Sequence, residues 1–314
     1  MMSQTTLDLI FLMLAVFGLL AALTVFAELW RARVPQGHTD SALEAFAVRL
    51  HTWWGLTIVL SVAVLSGKIG VTLLFAFVSF AALREFLTLT AKRRADHLSL
   101  VLAFFVILPL QYLFVWLDWM ALFTVFIPVY AFLLLPVVSA MRGDPDRFLV
   151  SVAETQWGLM ICVFCISHVP ALLTFDIQDG ADRSILLIVF FAMVVQVGDL
   201  FEYYAGRAFG RSRIAPEIST KSFIGVGVGI SAAALVGAAL SWITPFGVIG
   251  SIGMAAMASL TGMFGSLVFA AIKRDKDVKD WSHLIPGHGG FLDQLDSVIF
   301  AAPVFYHITH LIWS

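Results

Sequence analysis

Between Lys273 and Asp296 the chain reads KRDKDVKDWSHLIPGHGGFLDQLD, four lysines or arginines and five aspartates flowing into a Gly-His-Gly-Gly turn. Lys273, Arg274 and Lys279 offer positive charge to phosphates, while Asp280, Asp293 and Asp296 offer the hard oxygens that Mg²⁺ prefers. Asp293 and Asp296 lie three apart, on one face if a helix begins at Phe291. In the turn, Gly289 and Gly290 let backbone N–H groups approach an anion, and His288 can donate to a phosphate oxygen. Cations for phosphates beside carboxylates for a metal are the minimum that phosphoryl or nucleotidyl transfer needs.

A second polar stretch, DLFEYYAGRAFGRSRIAPEISTKS, runs from Asp199 to Ser222. Asp199 follows the apolar run SILLIVFFAMVVQVG, so it belongs near the membrane boundary, where an ionised carboxylate is costly unless a cation or donors satisfy it. Arg207 is the nearest plain salt-bridge candidate. Glu202 and Tyr203 share the Asp199 helix face and are placed to orient it. Lys221, flanked by Ser219, Thr220 and Ser222 at the start of an apolar helix, reads either as a snorkelling topology marker or as a phosphate cradle.

Lipid must be the solvent for the elements that hold these groups. With 60% of 314 residues hydrophobic and 13% charged, and a mean hydropathy of +0.94, the chain cannot cover a water-soluble globule with polar surface. Apolar runs predict spans near 7–29, 53–67, 69–88, 99–117, 119–139, 152–174, 184–204, 222–242, 246–271 and 297–313. The second is short and is separated from the third only by Gly67-Lys68, so the pair could form an incomplete hairpin. Of the 19 lysines and arginines, all but Lys68 and Arg183 fall on alternate loops of this ten-span threading. The positive-inside rule then sets those loops in the cytoplasm and both termini outside. The first run lacks the basic start of a cleaved signal peptide and is expected to be retained.

The short loops indicate one all-α polytopic membrane domain over 1–314, with spans up to about 180 as scaffold and 181–314 as the catalytic half. A net charge of -2, with basic residues confined to short loops, argues against a nucleic-acid partner. Cys162 and Cys165 form a CxxC inside an apolar run, which reads as two small helix residues rather than a zinc or redox site. Gly225, Gly227 and Gly229 do not have dinucleotide-loop spacing and are expected to let helices approach closely. Pro109, Pro128, Pro136, Pro170 and Pro303 predict kinks whose lost backbone bonds neighbouring helices must supply.

These two stretches together resemble the phosphatidate cytidylyltransferase family. Lys273-Arg274, Lys279-Asp280, the run Leu284 to Asp293 and then Asp296 are similar to its signature; Asp199, Tyr203, Gly206, Arg207, Phe209, Gly210, Ile214-Ala215-Pro216, Lys221-Ser222 and Gly225 follow its second motif. The resemblance covers about the last 130 residues and extends upstream mainly as hydropathy and a Glu85 that ends the third span. It implies transfer of a cytidylyl group from CTP to phosphatidic acid with Mg²⁺, at the cytoplasmic face of the inner membrane. Asp199, Asp280 and Asp293 would then be metal ligands supported by Asp296. Lys221, Lys273, Arg274, Lys279 and Ser222 would hold phosphates, and His288, Gly289 and Gly290 would bind pyrophosphate. Departures include Ala270, Gln294 where the family has an arginine, the bulkier Leu200-Phe201-Glu202, Ile218-Ser219-Thr220, and Ile224. They bear on the acceptor more than on the reaction, so a related transferase using another lipid phosphate is the alternative, with a transporter behind it. A homodimer is compatible with the sequence, which leaves oligomeric state open.

Overall fold

A computed structural model describes residues 4–33, 41–90, 97–141, 146–175, 183–285, 287 and 289–313. Among them the secondary structure is helical, without strands. The helices are α1 Gln4–Arg33, α2 Ser41–Leu65, α3 Gly67–Thr88, α4 His97–Trp116, α5 Met120–Ala140, α6 Phe148–Thr174, α7 Ser184–Phe209, α8 Phe223–Ala239, α9 Gly247–Asp275 and α10 Phe291–Trp313. All except α8 are long and apolar enough to cross a membrane, and the 17 residues of α8 extend about 25 Å at 1.5 Å per residue. The protein is a polytopic helical membrane bundle.

The second span is not the short element its apolar run suggested. α2 has 25 residues because the helix begins ahead of the apolar run and carries Glu44 and Arg49 in its N-terminal turns. Gly67, at φ +65°, supplies the left-handed turn that separates α2 from α3.

Proline effects are compensated from neighbouring helices. Ala103–Ile107, Phe126–Ala131 and Met160–Cys165 are wound as π turns, the first two next to or around Pro109 and Pro128. Pro136 has no N–H for the carbonyl of Phe132, and Gln156 Nε2 of α6 donates to that oxygen instead at 2.7 Å. Gln111 Nε2 of α4 donates to the Phe123 carbonyl at 3.2 Å, next to the Thr124 carbonyl that Pro128 leaves without an N–H. Without water nearby, such side-chain substitutes keep a kinked helix viable in lipid. Cys162 and Cys165 are free thiols in the π turn of α6.

Helices α7 to α10 pack successively on one another, and α10 also packs on α3 and α6. Small residues make the closest seam. A Cβ on Gly225 would lie 2.7 Å from the Glu202 carbonyl, and one on Gly229 would lie 2.7 Å from that of Gly198. The glycine stripe of α8 is therefore a packing surface against α7, and the backbone approach it allows brings the start of α8, with Lys221, alongside Asp199 and Glu202.

Charged contacts divide into two ends of the bundle. At one end Lys68 bonds Asp118 at 2.7 Å and Arg183 pairs with Asp8 at 3.7 Å. At the other, Lys276 bonds Glu154 at 2.9 Å, and Glu85, Lys221, Lys273 and the 280–293 loop come together. Every one of these contacts joins chain segments that the ten-span threading assigns to a common face.

Candidate active site

The last helix needs partners for its first N–H groups, since none lies within the helix. Glu85, 3% exposed at the end of α3, accepts from Phe291 N and Leu292 N at 3.0 Å each and from the Ser282 hydroxyl at 2.7 Å. Asp293, in the first turn, reaches back to Gly290 N at 2.9 Å, completing a capping arrangement. The same carboxylate accepts from Trp281 N and from Lys273 Nζ, both at 2.9 Å. Trp281 is buried and stacks on Phe86, with ring centroids 5.6 Å apart. The loop is thus anchored by two acids and an indole before any substrate arrives.

The turn from Ile285 closes through Ile285 N donating to Gly289 O at 2.8 Å. Gly287 and Gly289 have φ of +75° and +81°, a region other residues occupy at a cost. A side chain at Gly289 would collide with the Asp293 carboxylate and lie 3.3 Å from Asp280 Cβ, so Asp280 and Asp293 flank this glycine. The N–H of Gly290 is committed to Asp293 rather than offered to an anion. His288, assigned a phosphate-binding role from sequence, lies outside the described residues.

From the other polar stretch, Lys221 Nζ donates to Glu202 Oε2 at 2.6 Å, with 19% and 8% of the two side chains exposed. Lys221 also stands within electrostatic reach of Asp199 and Asp296. Asp199 itself lies within electrostatic reach of Asp296 and within hydrogen-bonding reach of the Ser297 hydroxyl. Asp296 accepts from Ser297 N at 2.7 Å and is in turn close to Lys273 and Asp293. Ser297 is fixed by Ser266 of α9 at 2.7 Å.

The two distant polar stretches therefore meet, through Asp199, Glu202 and Lys221 on one side and Lys273, Asp293 and Asp296 on the other. Four carboxylates gather around two lysines; Glu202 and Asp293 are ion-paired with them, and Asp199 and Asp296 are the two acids beside which a divalent cation would sit. Some expected members are elsewhere engaged. Ser222 is buried and caps α8 by accepting from Gly225 N at 3.1 Å. Arg274 and Lys279 are exposed. Arg207 donates to Tyr203 Oη at 3.3 Å rather than pairing with Asp199.

Among the described residues, no three His, Cys, Asp or Glu side chains converge closely enough to cage an ion, and the expected trio Asp199, Asp280 and Asp293 is not gathered as one. Asp293 has three donors on its two oxygens, Lys273 Nζ, Trp281 N and Gly290 N. Mg²⁺ does not require a cage, because it binds one or two carboxylates and completes its octahedron with water and substrate phosphates. Asp199 and Asp296 fit that pattern. Sequence reasoning missed two groups, Glu85 as the anchor of α10 and Ser297 as the link between the two aspartates. An acid placed at the end of an apolar span was the available signal for Glu85.

A family model described as the cytidylyltransferase family matches residues 47–312. The chain belongs to the cytidylyltransferase family. It is thus a membrane-embedded nucleotidyltransferase with a place in phospholipid biosynthesis. Among its relatives, the Uncharacterized protein YnbB of Escherichia coli (strain K12) is 35% identical over 299 residues, 93% of this chain and 95% of that protein. Phosphatidate cytidylyltransferase of Bacillus subtilis (strain 168) is 27% identical over 258 residues, covering 79% of this chain and 91% of that one. The phosphatidate cytidylyltransferase of Aquifex aeolicus (strain VF5) is 31% identical over 140 residues, 44% of this chain and 53% of its own length.

Proposed function

We propose that this cytidylyltransferase transfers the cytidylyl group of CTP to phosphatidic acid, giving CDP-diacylglycerol and pyrophosphate. The observation that carries the reading is the meeting of Asp199 with Asp296 beside Lys221 and Lys273, at the end of the bundle where α7 and α9 stop and α8 and α10 begin. Relatives that bear the name phosphatidate cytidylyltransferase support the acceptor.

The acceptor phosphomonoester has its second pKa near about 6 and is already largely a dianion at neutral pH, so no general base is required. Its oxygen attacks the α-phosphorus of CTP, the α–β anhydride bond breaks, and pyrophosphate leaves with the bonding pair. The obstacle is repulsion between two anions. Mg²⁺, when bound, neutralises phosphate charge and aligns the reacting groups. Asp199 and Asp296 would hold it. Lys273, fixed by Asp293, and Lys221, fixed by Glu202, hold positive charge at set positions beside those carboxylates, while Glu85 and Trp281 keep the loop from moving. Arg274 at the end of α9 and Lys279 on the loop that follows, both exposed, attract the nucleotide. A site at the membrane boundary leaves acyl chains in lipid while the phosphate meets soluble CTP; we assign that boundary to the cytoplasmic face of the inner membrane.

One observation favours a different lipid phosphate as acceptor. Glu202 neutralises Lys221 at 2.6 Å, and Gln294 carries no charge where the family resemblance leads one to expect arginine, so the site presents less positive charge to its acceptor. Membranes containing the protein, supplied with labelled CTP and phosphatidic acid, decide the matter. Mg²⁺-dependent CDP-lipid that disappears in Asp296→Asn supports phosphatidate; product only from another lipid phosphate moves the assignment to that acceptor.

A further inference from the structure

We propose that Arg49, Tyr203 and Arg207 form a phosphate subsite at the rim of the active site, with Arg49 contributed by the scaffold helix α2. Arg49 Cζ lies over the Tyr203 ring, 5.3 Å from its centroid. Arg207 Nη1 donates to the Tyr203 hydroxyl at 3.3 Å. Neither arginine is ion-paired with a carboxylate among the described residues. Two guanidiniums from separate helices therefore converge on one tyrosine side chain, and an anion bound between them would relieve their repulsion. A tetrahedral phosphate suits two planar forks of donors better than a single ammonium does.

Its position suits the reaction. Tyr203 is one turn beyond Asp199 on α7, about 6 Å along the axis. Val48, next to Arg49, sits where a Cβ on Gly287 would touch it at 2.5 Å, so the start of α2 meets both polar stretches. Val48 and Tyr204 beside the pair are exposed, an apolar setting that acyl chains would cover. Both substrates carry phosphate, and this setting favours the lipid over the nucleotide.

The inference rests on the proposed transfer for the identity of those substrates. Full-length protein in nanodiscs, as wild type, Arg49→Gln, Arg49→Lys and Arg207→Gln, is assayed for KM and kcat toward phosphatidate and CTP separately. Arg49→Gln is expected to raise KM for phosphatidate about tenfold with kcat changed less than twofold, and Arg49→Lys to recover part of the loss. A rise in the KM for CTP alone assigns the same subsite to the nucleotide. Unchanged KM values for both overturn it. Thermal midpoints in nanodiscs with and without phosphatidate give a second readout that needs no turnover. A phosphatidate-dependent rise in wild type that Arg49→Gln lacks supports the subsite even if no CDP-lipid forms, whereas an equal rise in both rejects it.

Discussion

Asp293 and Asp296 are three residues apart and have different duties. Asp293 is saturated by one lysine and two backbone donors, so it shapes the loop; Asp296 faces Asp199 across the α7–α10 boundary. Asp296→Asn and Asp199→Asn are expected to lower CDP-lipid formation by about two orders of magnitude or more, since each removes a charge that would hold the metal. Protein yield and the thermal midpoint should change little. Asp280→Ala discriminates between ligand sets, because a loss as deep as that of Asp296→Asn would restore the grouping expected from sequence. Glu85→Ala acts differently. It strips the acceptor from two N–H groups and a hydroxyl, each costing roughly 1–3 kcal/mol when left buried and unpaired. A fall of several degrees in thermal midpoint, with activity lost in parallel, is the expected outcome.

At the scale of elements, the seam between α7 and α8 sets where Lys221 can stand. Gly225→Val introduces atoms where the Glu202 carbonyl and Gly206 already are, at 2.7 and 2.9 Å from the first carbon alone. Overpacking of this kind costs about 1–3 kcal/mol and would push the start of α8 away from Asp199. Gly227→Ala has nothing within 4 Å of its new carbon and gains up to about 1 kcal/mol in helix propensity. Melting curves in detergent should therefore separate the two glycines in opposite directions, and equal behaviour would refute the seam. Gln156→Ala in α6 removes the side-chain donor to the α5 carbonyl of Phe132 that Pro136 leaves without an N–H; such bonds in membranes average about 0.6 kcal/mol, so a small destabilisation is expected.

Over the whole molecule, charge separates the bundle into two ends. Lys68 with Asp118 and Arg183 with Asp8 mark one, and the lysine and carboxylate cluster marks the other. Cysteine introduced at position 68 and at position 279 should react with an impermeant reagent from opposite sides of the membrane, with position 279 protected in intact cells and labelled in inverted vesicles. Labelling of both from one side would undo the threading. The end-to-end arrangement also fits the proposed meeting of a soluble nucleotide with a lipid: the acids proposed to hold the metal lie where helices terminate, not at mid-span, which is where a transporter would need them.

Hydropathy and charge alternation were enough to reveal the helices found among the described residues, nine of them long enough to span and α8 shorter, because a bilayer demands continuous apolar runs and the chain obeys that demand locally. The two reactive stretches were equally legible, since acids and bases this close to lipid are costly and stand out against an apolar background. What the sequence could not determine was the division of labour among those charges. Glu85 caps a helix that begins more than 200 residues later, Glu202 serves Lys221 instead of Asp199, and Arg207 turns to Tyr203. These pairings depend on close backbone approach between helices far apart in the chain, and that distance is a property of the packed bundle alone.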